Sequence, residues 1–277
     1  MHQAKKYYEH SGAVGLMGPI YMIVLGAIGT LVLGAVYGYA IFYIPFIYLN
    51  FFITLGFGGL VGFCVGMGGK LGKVRNPILM LLFGFAFGLA AEYIGWVSWI
   101  YAFTEQGSLI LAPSDMANAL QVIAKDGAWS IFGWTPKDVE LYMIWGVEAI
   151  MIIGTSTLVA SGTVISIPFC ERCNKWIEAE DSIEPLDPIS NPDDLKSQLE
   201  QGEYGLLQSL NRKDDKTDAY TQVSLLHCPG CQQNHFLSIK SIVVSTGSDN
   251  KEKKNETKII ENLIIDPEQY RMIKAQW

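Results

Sequence analysis

Charge is missing where a soluble chain would carry it. Between Ser11 and Gly69 there is no Asp, Glu, Lys or Arg, and no basic residue falls inside any of the long apolar runs that follow. Cysteine is sparse, five in 277 residues, and four of the five stand in two CxxC pairs. Basic residues number 20 against 27 acidic ones, which leaves no polycationic surface of the kind that releases counterions from nucleic acid. No catalytic constellation stands out either, so the chain is expected not to be an enzyme.

What remains divides the chain in two. Half of all residues are hydrophobic and the mean hydropathy is positive, +0.24. Residues 1–169 hold 7 Lys/Arg and 8 Asp/Glu, whereas residues 170–277 hold 13 and 19, so the second part carries a net charge of −6. Of the 28 glycines, 24 lie in the first part. These features predict an all-α membrane domain over 1–169, followed by a small cytoplasmic α+β domain resembling a zinc ribbon over 170–277.

The uncharged run is longer than the roughly 20 residues that one helix needs to cross a bilayer, so it reads as a helical hairpin turning at Pro45. Spans are predicted at about 18–40, 46–69, 77–103 and 141–164. The first is read as a retained span rather than a cleaved signal. Lys5, Lys6, Lys70, Lys73 and Arg75 lie on one side of these spans. That asymmetry predicts a multi-pass inner-membrane protein with both termini cytoplasmic. The opposite side receives the loop 104–138, in which PSDMANALQVIAKDG reads as one short helix. Trp96, Trp99, Tyr101, Trp129, Phe132, Trp134, Tyr142 and Trp145 gather around that loop in the pattern of a membrane-interface belt.

Glycines recur every four residues at Gly58, Gly62 and Gly66, and again at Gly84 and Gly88. Small residues at that spacing share a helix face and admit a second backbone at close range. The pattern serves packing within the chain or within a homo-oligomer. Extending the stripes leads through Thr54 to Asn50 in the second span and forward to Glu92 in the third, while Glu148 shares a face with Thr155 in the fourth. With no basic residue in any span, two carboxyl groups at that depth are protonated, share a proton or bind a cation. Glu92 and Glu148 are expected first as neutral, hydrogen-bonded glue between helices, and alternatively, with Asn50 and Thr54, as a candidate intramembrane ion site.

Cys170 and Cys173 form CERC, and Cys228 and Cys231 form CPGC, with 54 residues between the pairs. Two CxxC turns supply the four thiolates of a structural Zn2+ site, and a closed four-thiolate set has no coordination position left for hydrolysis. The wide gap reads as a helical insertion over 191–210 and an exposed charged loop from Arg212 to Asp218. Three β-type runs, Tyr220–Leu226, Phe236–Val244 and Lys258–Ile265, complete the ribbon, with a short helix after Asp266. His227 and His235 are expected to be bystanders and lone Cys64 a packing residue.

The function expected from these features is an integral membrane protein that presents a zinc ribbon to recruit or assemble proteins. The alternative is a proton- or cation-handling transporter component using Glu92 and Glu148. Expected partners are membrane lipid and a cytoplasmic or membrane protein.

Overall fold

The computed structural model describes residues 6–44, 46–105, 107–130, 133–183, 185–213, 218–246 and 252–276. Pro45, Phe132 and residues 214–217 of the charged loop lie outside the described residues. The chain forms two compact units: Ser11–Ser166, and Ile167–Trp277 together with the N-terminal residues up to His10.

The first unit is helical. Helices α1 (Gly18–Tyr43), α2 (Ile47–Leu71), α3 (Pro77–Phe103) and α5 (Asp138–Ile165) are each long and apolar enough to cross a membrane. The shorter α4 (Pro113–Asp126) joins α3 to α5. Proline opens α1, α3 and α4, where its missing N–H costs no helical hydrogen bond. The Asn76 side chain caps α3 by accepting from Leu79 N at 3.0 Å. Helix α1 packs on α2 and α3, and so does α5, which sets α1 and α5 at opposite corners of a four-helix arrangement.

The burial pattern inverts that of a soluble bundle. Gly26, Gly29, Thr30, Gly34 and Gly38 of α1 are buried, whereas Ile20, Leu31 and Val36 of the same helix are half or more exposed. Bulky apolar groups outward and glycine inward suit a lipid surroundings, where helices associate by close backbone contact.

Both glycine stripes meet α5. A Cβ added at Gly58 would lie 2.8 Å from Cα of Ile152, at Gly62 2.8 Å from Cα of Ser156, and at Gly66 2.9 Å from Cβ of Thr163. From α3, Gly84 and Gly88 would each place a Cβ 2.9 Å from an α5 Cα, of Thr157 and Ile153 respectively. Those distances leave no room for a side chain, so the stripes are used within one chain. Gly162 is different: a Cβ there would meet nothing within 4 Å.

The second unit is built on an antiparallel sheet in the order β3-β4-β5-β6, from β3 (Glu180–Ser182), β4 (Ala219–His227), β5 (His235–Thr246) and β6 (Glu252–Ile265). A separate two-stranded pair, β1 (Phe169–Cys170) and β2 (Lys175–Trp176), folds back around the CERC turn. Helices α6 (Pro192–Glu200), α7 (Gly205–Gln208) and α8 (Pro267–Gln276) complete the unit. Leu186, Leu195, Leu207, Leu225, Leu237 and Ile273 bury its core. The expected single helix over 191–210 is two, because Gly202 takes a positive φ of 82° and ends the first.

The N-terminal segment belongs to this sheet. Tyr8 N donates to Asn262 O at 3.0 Å and Ile264 N to Lys6 O at 2.9 Å, so the segment runs along the edge of β6. Asn262 sits at a bulge with φ 53°, and its N–H is taken up by Ser238 Oγ at 3.0 Å. Tyr8 also reaches the start of β1, its hydroxyl accepting from Phe169 N at 3.0 Å.

Candidate functional sites

The two turns of the cysteine motifs face each other in the second unit. The Sγ atoms of Cys170, Cys173, Cys228 and Cys231 all lie within 4.8 Å of one another, close enough to hold one metal ion. Cys170 and Cys231 are 3.6 Å apart at sulfur, far beyond a disulfide bond and close to the roughly 3.8 Å edge of a tetrahedron with 2.3 Å metal–sulfur bonds.

Each turn is built to present sulfur. The first leaves β1 and returns in β2 through Asn174 at φ 51°, and Cys173 N points back at Cys170 Sγ at 3.4 Å. In the second, Gln232 takes φ 51° and closes on Cys228 O at 3.0 Å, while Cys228 N donates to Asn234 O at 3.0 Å. Gly230 keeps this approach close, since a Cβ there would stand 2.9 Å from Cys173 Sγ and the sulfur would have to shift. The Asn234 amide donates to Cys170 Sγ at 3.2 Å, a contact that favours the thiolate. Burial pushes the Cys170 thiol up, whereas the Gln233 N–H holds Cys231 down to about 7. Four thiolates at this spacing repel one another, and a divalent cation at their centre removes that cost. Neither pair begins a helix, the position that activates thioredoxin-type thiols.

The histidines beside the cluster are engaged elsewhere. His235 shares a hydrogen bond with Gln232 O at 2.9 Å. His227 Nδ1 lies 3.4 Å from Asp181 and 3.3 Å from the Tyr270 hydroxyl. Cys64 packs against the α1 backbone, its Sγ 2.8 Å from where a Cβ on Gly29 would be.

In the helical unit, all four residues of the polar stripes line one cavity of about 400 Å³. Asn50 and Thr54 enter from α2, Glu92 from α3 and Glu148 from α5. Tyr37 of α1 joins them, donating its hydroxyl proton to the Glu148 carboxylate. Thr54 Oγ1 is 3.1 Å from the same hydroxyl, and with the Tyr37 proton directed at Glu148 the threonine supplies the proton of that contact. Glu92 accepts from Trp96 Nε1 at 2.8 Å. Asn50 Oδ1 is buried and has no hydrogen-bond partner among the described residues.

The other wall is aromatic. Trp96 stands edge-on to Trp145 at 4.8 Å and to Trp99 at 5.6 Å, and Trp99 stacks on Phe103 at 5.0 Å. All four rings line the cavity. Helix α4 covers this end: Met116 and Ala124 are buried on it, and Leu120 and Ile123 pack near Trp96. The segment that follows, Ala128 to Ser130, contributes to the cavity wall. Tyr37 escaped sequence reasoning. Its signal was its position three residues after Gly34 and one before Gly38, on the face that the glycines bury.

Comparison with known protein families, with curated proteins and with solved structures finds no match to this chain. What the coordinates define is a chain with four membrane-length apolar helices and a four-cysteine cluster fit for a metal ion.

Proposed function

We propose that the chain is a multi-pass inner-membrane protein whose helical domain binds a proton or a cation at Glu92 and Glu148, as a component of a transporter. The observation that carries this reading is that the two carboxyl groups converge on one cavity whose lining, among the described residues, holds no Lys, Arg or His. Inside a bilayer such groups are stable when they are protonated or when a cation neutralises them. Tyr37 and Trp96 hold one carboxylate oxygen each, which fixes the two side chains and leaves their remaining oxygens as acceptors.

The four-cysteine cluster takes Zn2+ in a structural role. Tetrahedral sulfur coordination suits zinc, and four protein ligands leave no open position for chemistry at the metal. A cytoplasmic position of the domain around it is supported by the excess of basic residues at one end of the helices.

The test is flux. In proteoliposomes loaded with a pH- or cation-sensitive dye, the wild-type chain dissipates an imposed gradient, and Glu92→Gln and Glu148→Gln each abolish the signal. Wild-type flux equal to that of empty liposomes would sink the reading.

A second reading has its own support. The metal cluster closes a domain that carries most of the chain's charge, a net of −6 over residues 170–277, and such a surface suits a basic protein partner. Native purification tests it: a stoichiometric protein lost on Cys228→Ser with Cys231→Ser identifies a recruitment platform, and a chain that purifies alone removes that role.

A further inference from the structure

The cavity is larger and greasier than a proton or a bare metal cation requires. At about 400 Å³ it falls in the range of small-molecule sites, which start near 300 Å³. Seven of the nineteen residues that line it are tryptophan or phenylalanine, and the ring faces of such residues attract a cation that has shed its water. Its polar end is made of acceptors. The Tyr37 and Trp96 donors are already spent on the two glutamates, while Asn50 Oδ1 is buried without a protein partner. A ligand that satisfies this end brings N–H donors and positive charge, and one that satisfies the other brings an apolar body.

We infer that the site takes a protonated organic amine: an ammonium head set between Glu92, Glu148 and Asn50, and an aromatic or aliphatic body against Trp96, Trp99 and Trp145. This deepens the cation-binding reading and rests on it. Phospholipid head groups are excluded on charge, because an amine that carries a phosphate would bring its anion into a lining with two carboxylates and no basic residue. The ligand is therefore a lipophilic monoamine with no acidic group. Its positive charge replaces the proton that the carboxylates would otherwise share.

Three tryptophans against the ligand give the readout. The full chain in nanodiscs is titrated with 2-phenylethylammonium while intrinsic fluorescence is followed, then with the neutral 2-phenylethanol and with the quaternary phenylethyltrimethylammonium. The amine changes the fluorescence saturably, and the neutral alcohol binds at least about tenfold more weakly, the discrimination expected when charge and cation–π contact are both lost. The quaternary ion, which has no N–H for Asn50, falls between the two. Glu148→Gln weakens amine binding by about tenfold or more without altering the alcohol. The ligand comparison stands on the wild-type chain, so it holds even where a variant fails to assemble.

Equal binding of amine and alcohol, or no saturable change at all, would overturn the inference. So would displacement of the amine by phosphatidylethanolamine in the nanodisc, which would make the occupant a lipid head group. The broader reading is tested separately: glutamate-dependent flux of protons or Na+ with no amine binding leaves the cation site standing and removes the amine, whereas amine binding without flux keeps the amine at the cation site and removes the transport role.

Discussion

The Tyr37 hydroxyl of α1 donates to the Glu148 carboxylate of α5, joining two helices that occupy opposite corners of the helical unit. Thr54 of α2 stands 3.1 Å behind that hydroxyl, so three helices meet through one short line of polar atoms. A second buried bond, from Ser156 Oγ of α5 to Gly84 O of α3 at 2.9 Å, adds to it, and such bonds fix the relative height of apolar helices because close-packed glycine faces can slide where hydrogen bonds cannot.

Removing the middle of that line strands a buried acceptor. Tyr37→Phe is expected to lower stability by about 1–3 kcal/mol, the cost of leaving a buried polar group unsatisfied. Thr54→Val, at the far end, should cost less. Thermal melting in detergent, followed by tryptophan fluorescence, measures both. Equal melting of Tyr37→Phe and wild type would show that the hydroxyl contributes nothing.

Glycine substitutions should divide by location. Gly62→Ala drives a Cβ to 2.8 Å from Cα of Ser156, and overpacking of that kind costs about 1–3 kcal/mol. Gly154→Ala, with nothing within 4 Å, should be neutral or stabilising by up to about 1 kcal/mol through helix propensity alone. The two melting temperatures are expected to move in opposite directions.

Metal removal should act on the second unit. Purified chain is expected to contain one Zn2+ per molecule by elemental analysis, and Cys170→Ser or Cys228→Ser should lose it. A strong chelator should unfold the sheet around the cluster, seen as loss of β signal in circular dichroism, because the binding free energy of a structural zinc is folding free energy. Retention of the sheet after full metal removal would contradict that role.

Acid should weaken the anchoring of α8. Lys274 Nζ at 2.8 Å and the Tyr270 hydroxyl hold the Asp181 carboxyl below the usual carboxylate range. A carboxyl lowered in the folded state stabilises it above the ordinary carboxylate pKa, and that contribution disappears as pH falls through the lowered value. Lys274→Ala should shrink the loss, because without the lysine the Asp181 carboxyl returns toward its ordinary range. The effect is small, under about 1 kcal/mol, because the pair is partly exposed. Melting temperature against pH for both chains measures it.

Much of this organisation was legible in the sequence where one physical rule dominates. Four long apolar runs became four helices, each long and apolar enough to cross a membrane. The cysteine pairs met across 54 residues because loop closure costs little extra as loops lengthen. Asn50, Thr54, Glu92 and Glu148 line one cavity because residues four apart share a helix face. Tyr37 was hidden for a different reason: its partner depends on which helices sit across the bundle, and spacing within one helix carries no such information. The docking of Lys6 to Tyr8 on β6 was equally hidden, since a short polar segment pairs wherever a free strand edge is offered.

That docking also sets a timetable. Tyr8, which precedes α1, is held by Phe169 and Asn262, which follow α5, and Cys170 waits for Cys231. The second unit therefore cannot close until the strand that carries Asn262 has been made, by which time α1, α2, α3 and α5 have all emerged. Residues that precede α1 and residues that follow α5 are thus woven into one folded body.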